Sequence, residues 1–169
     1  MKKILTLFAV VGMLVVQGCT TNDDSNYVDT DTDTISEVFE VKNVSFNSGN
    51  GFETMINLKE AIFDSDVVLV YRLSGQLNGN PIWTPVPHTY YYDDGTLSFS
   101  YNFEFSKNNI SVYMLGDDLN SVTGEYRSNQ VFRIVIVPGY FSSTLKNSSY
   151  LEVIKALNLN ESKVQNIQF

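Results

Sequence analysis

A mainly all-β fold, an antiparallel β-sandwich, is what the sequence predicts, and three observations carry it. Short runs of β-branched and aromatic residues alternate with polar ones, turn-forming residues separate those runs, and a helical pattern occurs once, near the end. Residues 36–169 hold all of this, and their 134 positions are enough to bury one core. Seven short strands joined by hairpin chemistry read as an immunoglobulin-like sandwich, with an open barrel as the other way to close them. The cysteine pair of antibody domains is missing, because Cys19 is the single cysteine of the chain.

Strand patterns fall at 37–46, 52–62, 67–74, 88–92, 96–105, 110–115 and 131–137. Between them stand Asn47-Ser48-Gly49-Asn50-Gly51, Asp64-Ser65-Asp66, Asp93-Asp94-Gly95 and Lys107-Asn108-Asn109, which are turn chemistry. The clearest strand is TLSFSYNFEF. Leu97, Phe99, Tyr101, Phe103 and Phe105 point one way and Thr96, Ser98, Ser100, Asn102 and Glu104 the other, so one face buries and the other stays wet. The run 131–137 is apolar on both faces, which places it centrally or under a helix. Its one charge, Arg133, is expected to pair with a carboxylate, Glu104 and Glu125 being the candidates. Pro138-Gly139 ends that strand. The helix is SYLEVIKALNL at 149–159, opened by a Ser149/Glu152 capping box and striped by Leu151, Ile154 and Leu157.

The N-terminus is a different material. Met1-Lys2-Lys3 is a positive start, and 4–16 is an apolar run broken by Thr6 and Gly12, the pattern of a signal-peptide core. It is too short for the roughly 20 apolar residues a membrane span needs. Val16-Gln17-Gly18-Cys19 resembles the lipobox of bacterial lipoproteins, in which a branched apolar residue, a free position and a small residue precede a cysteine that is acylated. That resemblance implies removal of residues 1–18 and a lipid group on Cys19. Several acyl chains would make such anchorage effectively permanent, since each buried methylene adds about 0.8 kcal/mol. A disulfide within the chain is excluded by the missing second thiol.

Residues 19–35 read as a lipidated, disordered acidic tether. The stretch TTNDDSNYVDTDTDTI carries five Asp and no base, with too little apolar surface to offset the entropy of ordering. Fully extended, it would reach at most roughly 55 Å. Asn22-Asp23-Asp24 after the cysteine resembles the signal that sends some Gram-negative lipoproteins to the outer face of the outer membrane, and the periplasmic face is the other address. Asp29, Asp31, Asp33 and Glu40 occupy positions 1, 3, 5 and 12 of a calcium loop. Thr34 stands where that loop needs glycine, and no helices flank it, so the stretch is read as a solvated linker.

Without residues 1–18 the chain keeps nine basic and nineteen acidic side chains. Such a balance repels nucleic acid and anionic headgroups, so the expected membrane contact is the covalent lipid and not charge. The stretches PIWTPVPHTYYYDDGTLSFSYNFEF, NQVFRIVIVPGYF and YLEVIKALNL together resemble a family of small surface-exported lipoproteins of Gram-negative bacteria. The resemblance supports the fold and the address and supplies no catalytic residue.

Chemistry has little to stand on. No phosphate loop, redox cysteine pair or repeat is present, and no cofactor is expected. A zinc site would have to be built around one histidine, His88, which sits between prolines and aromatics as a packed or edge-strand residue would. Glu104 with Glu125, or Asp93 with Asp94, could serve a glycoside hydrolase if suitably spaced, but Asp93-Asp94 is more simply a turn. The expected role is therefore non-catalytic, an interaction or structural one with a protein or glycan partner. The candidate ligand-binding residues are Trp83, Tyr90 and Tyr92, grouped near the Asn78-Gly79-Asn80-Pro81 loop, since sugar rings stack on aromatic faces. Alternation puts Tyr90 and Tyr92 on one strand face and Tyr91 on the other.

Overall fold

Alternation and turn chemistry fold the chain into two packed sheets in a computed structural model that describes residues 36–142, 149–159, 162 and 164–167. Nine strands lie among the described residues: β1 Glu37–Val44, β2 Glu53–Asn57, β3 Val67–Leu77, β4 Asn80–Val86, β5 His88–Tyr91, β6 Leu97–Phe105, β7 Asn109–Leu115, β8 Gln130–Val137 and β9 Gln165–Ile167. Three short helices accompany them, α1 Gly124–Arg127, α2 Gly139–Ser142 and α3 Tyr150–Ala156. The five-stranded sheet runs β4-β3-β8-β1-β9 and the four-stranded sheet β2-β7-β6-β5. The mainly β sandwich and its late helix are those the sequence predicts. The chain fills the sheets in its own order: the first two strands of an immunoglobulin constant domain are neighbours, whereas β1 and β2 lie in opposite sheets and β1 also pairs in parallel with β9.

Two strands were hidden from the pattern. Pro81 and Pro85 break the run that forms β4, yet β4 is an edge strand, where a missing N–H can face away from the ladder. Asn78 and Gly79, at φ 52° and 81°, make the tight left-handed turn between β3 and β4 that the pair Asn-Gly favours. β9 is only three residues long and offers no periodicity to read.

The core is the product of the alternation. Phe39 and Val41 of β1, Val68 and Val70 of β3, and Phe132, Ile134 and Ile136 of β8 meet Ile56, Phe99, Tyr101, Ile110, Val112 and Met114 of the other sheet. The predicted β6 face holds in its middle, where Phe99 and Tyr101 are buried, and opens at its ends, where Leu97 and Phe105 are exposed. β8 is central and also roofed: Val135 and Val137 on its outer face join Tyr71, Tyr150, Val153 and Ile154 in a second core beneath α3. The helix opens on the capping box, with Glu152 Oε2 accepting from the Ser149 N–H at 2.8 Å. Its buried stripe is Tyr150, Val153 and Ile154, and Leu151 points outward at 72 % exposure. Of the expected stripe Ile154 is buried and Leu157 packs partly buried against the same cluster, while Leu151 is replaced by Tyr150 and Val153, Tyr150 being the anchor that reaches the sheet.

Two buried tyrosines give this packing a pH signature. Burial, with Tyr150 and Glu152 adding to it, pushes the Tyr71 hydroxyl from the usual 10 up to about 12. Burial also raises Tyr101, against the opposing charge of Arg72. The folded state therefore keeps protons that the unfolded chain has lost, so stability is full below pH 10 and falls as pH climbs toward 12. Denaturation midpoints measured across that window are expected to drop, and to drop less steeply in Tyr71→Phe. A midpoint that stays level to pH 12 would contradict the burial argument.

Candidate functional site

Three places concentrate polar or aromatic side chains, and each is set by strand register. The first is the outer face of the five-stranded sheet. Register puts Arg133 of β8 beside Glu40 of β1, and Arg133 Nε donates to Glu40 Oε2 at 2.8 Å. Lys42 reaches the other carboxylate oxygen at 3.1 Å. Arg133 Nη1 donates to the Tyr150 hydroxyl, and the guanidinium lies 4.3 Å from the Trp83 ring centroid and 5.0 Å from that of Tyr150. Arg133 thus has the carboxylate partner expected, but that partner is Glu40 and not Glu104 or Glu125. Pairing across neighbouring strands depends on register, which sequence separation does not reveal. Trp83 is half-buried here, packed against Tyr150 at 5.6 Å between ring centroids.

The second place is between the sheets, at the end where β3 emerges. Arg72 follows Val68 and Val70 on the inner face and is 6 % exposed. Its Nε donates to Gln130 Oε1 at 2.7 Å and its Nη1 to the Tyr90 hydroxyl at 3.1 Å. The rings of Tyr101 and Tyr126 lie 4.9 and 5.5 Å from the guanidinium carbon. Tyr90 is stacked on Phe99 at 4.6 Å and tilted against Tyr126 at 5.1 Å. Burial raises its hydroxyl above the ordinary value, partly offset by the Arg72 charge.

The third place is the tip of the β5–β6 hairpin. The Tyr92 N–H donates to the Thr96 carbonyl at 2.9 Å, and Gly95 takes φ 83°, a conformation glycine adopts freely. Asp94 Oδ1 accepts from the Thr96 N–H at 2.9 Å and from its hydroxyl at 2.6 Å, which holds the carboxylate below its usual range. Register shifts between Tyr90 and Tyr91, so strict alternation fails and Tyr92 does not share the inward face of Tyr90. Tyr91, Tyr92 and Leu97 stand 64 %, 53 % and 48 % exposed.

The sequence candidates are accordingly dispersed. Trp83 packs under α3, Tyr90 packs between the sheets, and Tyr92 stands at the hairpin tip, so the three form no single platform. Cys19, Asp29, Asp31 and Asp33 lie outside the described residues. Glu40, the twelfth position of the calcium pattern, is within β1 and engaged by Arg133 and Lys42. His88 is on edge strand β5, its ring edge-on to Tyr90 at 4.8 Å. Glu104 is exposed on β6 and Glu125 exposed on α1. Among the described residues no group of three His, Cys, Asp or Glu is placed to hold a metal ion, and no helix is long and apolar enough to cross a membrane. Arg72 was not singled out by sequence reading, although its parity with Val68 and Val70 marks a charge on a buried face.

Arg133→Met is expected to cost about 3 kcal/mol in denaturant unfolding, because it leaves the Glu40 carboxylate buried with only Lys42 to answer it. Lys42→Met, which loses a far more exposed partner of the same carboxylate, should cost about 1 kcal/mol or less. Adding Glu40→Leu to Arg133→Met should recover most of the loss. Equal costs for the two single changes would show that the pair does not hold this layer.

No family model, curated protein or solved structure matches the chain.

Proposed function

We propose that the chain is a lipid-anchored binding domain of the bacterial envelope, attached through Cys19 to the outer membrane, facing the exterior, and acting by contact without chemistry. The address is supported by the sequence order of positive start, apolar core, small residue, cysteine and acidic stretch. The absence of chemistry is supported by how the reactive groups are used. Asp94 caps its own turn, Glu40 is committed to Arg133 and Lys42, and His88 is packed on Tyr90.

The observation that carries the binding role is the hairpin tip. Large apolar side chains are usually turned inward, and Tyr91, Tyr92 and Leu97 stand together in solvent on a hairpin braced by the core. Tyrosine suits an interface because it adds contact area with few rotatable bonds and brings a hydroxyl. Adjacent exposed tyrosines beside the carboxylates of Asp93 and Asp94 also favour a second reading, in which the tip stacks on a sugar ring.

Radiolabelled palmitate is expected to mark the chain and to fail on Cys19→Ser; labelling that persists would remove the anchor. A screen of soluble residues 20–169 against glycans and cross-linked envelope proteins separates the two binding readings. The ligand found should be bound at least about tenfold more weakly by Tyr91→Ala/Tyr92→Ala, at unchanged thermal stability. Undiminished binding by that variant would take the role away from the tip.

A further inference from the structure

We infer that the recess at the Arg72 end of the sandwich binds a carboxylate carried by a small ligand that is otherwise neutral or cationic. This goes beyond the contact proposed for the hairpin tip, since it rests on Arg72 and not on Tyr91 or Tyr92. The two buried arginines are treated differently by the fold. Arg133 has Glu40 at 2.8 Å, whereas among the described residues no carboxylate lies within ion-pair distance of Arg72. The partners of Arg72 are an amide oxygen, the phenols of Tyr90 and Tyr101 and two aromatic faces, all neutral. A cation removed from water without a counter-charge is costly, and neutral dipoles offset only part of that cost.

The neutral partners also aim the guanidinium. Gln130 Nε2 donates to the carbonyls of Glu125 and Ser128 at 2.8 and 2.7 Å, which fixes its Oε1 on Arg72 Nε. Tyr90 is held by the rings of Phe99 and Tyr126. Nε and Nη1 are thereby engaged, and the Tyr101 hydroxyl also bonds the guanidinium, so three of its five N–H donors meet oxygens and all three of those oxygens are neutral. A fixed guanidinium with N–H donors to spare and no counter-charge takes a carboxylate oxygen by charge-assisted hydrogen bonding. Arg72 lines a recess of about 280 Å³ together with Ser74, Gln76, Ser128, Asn129 and Gln130. That volume lies just below the usual range for drug-sized ligands and suits an acid of amino-acid size. A β-bulge between Leu73 and Gly75 bends β3 at this wall.

Glu125, exposed on α1, lines the same recess. Its carboxylate repels a doubly charged anion such as phosphate and attracts an ammonium group, which selects a singly charged carboxylate or a zwitterion.

Acetate, glycine and inorganic phosphate, each titrated into the full chain in detergent micelles, test this through the amide signals of Ser128, Asn129 and Gln130. Acetate and glycine are expected to move these signals saturably, with phosphate at least about tenfold weaker. Arg72→Gln should abolish the response, and Glu125→Gln should bring phosphate within about threefold of acetate. Signals that stay still, or that respond equally in folded Arg72→Gln, overturn the site. Where Arg72→Gln unfolds, the exposed Glu125→Gln change decides, and an unchanged preference for acetate over phosphate overturns the proposal.

Discussion

The register between β3 and β8 is the constraint on which the rest depends. It sets Tyr71 beside Arg133 on the outer face and Arg72 beside Phe132 on the inner one. Side chains alternate with a period of two, so a slip of one residue would exchange the faces of a whole strand. Slipping β8 would drive Arg133 into the gap between the sheets, away from Glu40, and turn Phe132, Ile134 and Ile136 outward. The cost of a bared buried charge plus a lost apolar face runs to several kcal/mol, a large part of a domain's usual net stability. The charges on the central strands therefore act less as a source of stability than as a guard on alignment.

From that alignment two layers follow. Outside, Arg133 presents its guanidinium to Trp83 and Tyr150, and Tyr150 is the first residue of α3, so the helix is seated by the same cation that β1 neutralises. Inside, Arg72 draws Tyr90 of β5 and Gln130 of β8 to one point, and the Tyr101 hydroxyl donates to the Tyr126 carbonyl. That end of the sandwich is closed by polar groups where its middle is closed by apolar ones. The hairpin tip lies past both layers, with its own turn bonds and no packing above Tyr91 and Tyr92.

How far this was legible depended on whether the information was local. The middle of β6, the two-faced apolarity of β8 and the Ser149/Glu152 box are written in adjacent residues and were readable. β4 was not, because two prolines argue against a strand unless one knows it lies at an edge, which is a property of the sheet. The partner of Arg133 was not, because Glu40 is 93 positions away and only register joins them. Trp83, Tyr90 and Tyr92 looked like one set since they are close in sequence. The turn into β5 sends Trp83 and Tyr90 to different sheets, and the register shift after Tyr90 parts it from Tyr92. Aromatic residues near each other in a β chain are as readily core as site, and the bulge and the sheet crossing decide between them.

Charge distribution sharpens the contrast between the Arg72 recess and the hairpin tip. The chain has a formal net charge of -8, and Arg72, Arg127 and Arg133, its three arginines, are all buried or half-buried, Arg127 donating to the Val122 carbonyl at 2.6 Å. The arginines thus serve internal order, while Lys42, Lys59, Lys107 and Lys155 stand exposed among the carboxylates that outnumber them. A field of that sign slows the approach of an anion from a distance, and salt shortens its reach to about 8 Å under physiological conditions. Selection at the Arg72 recess must then arise at contact, from a guanidinium fixed by Gln130 and Tyr90, and not from long-range steering. The hairpin tip has the opposite character, with no cation and much exposed tyrosine surface, so the contact proposed there would be governed by shape and apolar area. The two proposed recognition sites are separable because one is set by an arginine between the sheets and the other by a turn beyond them.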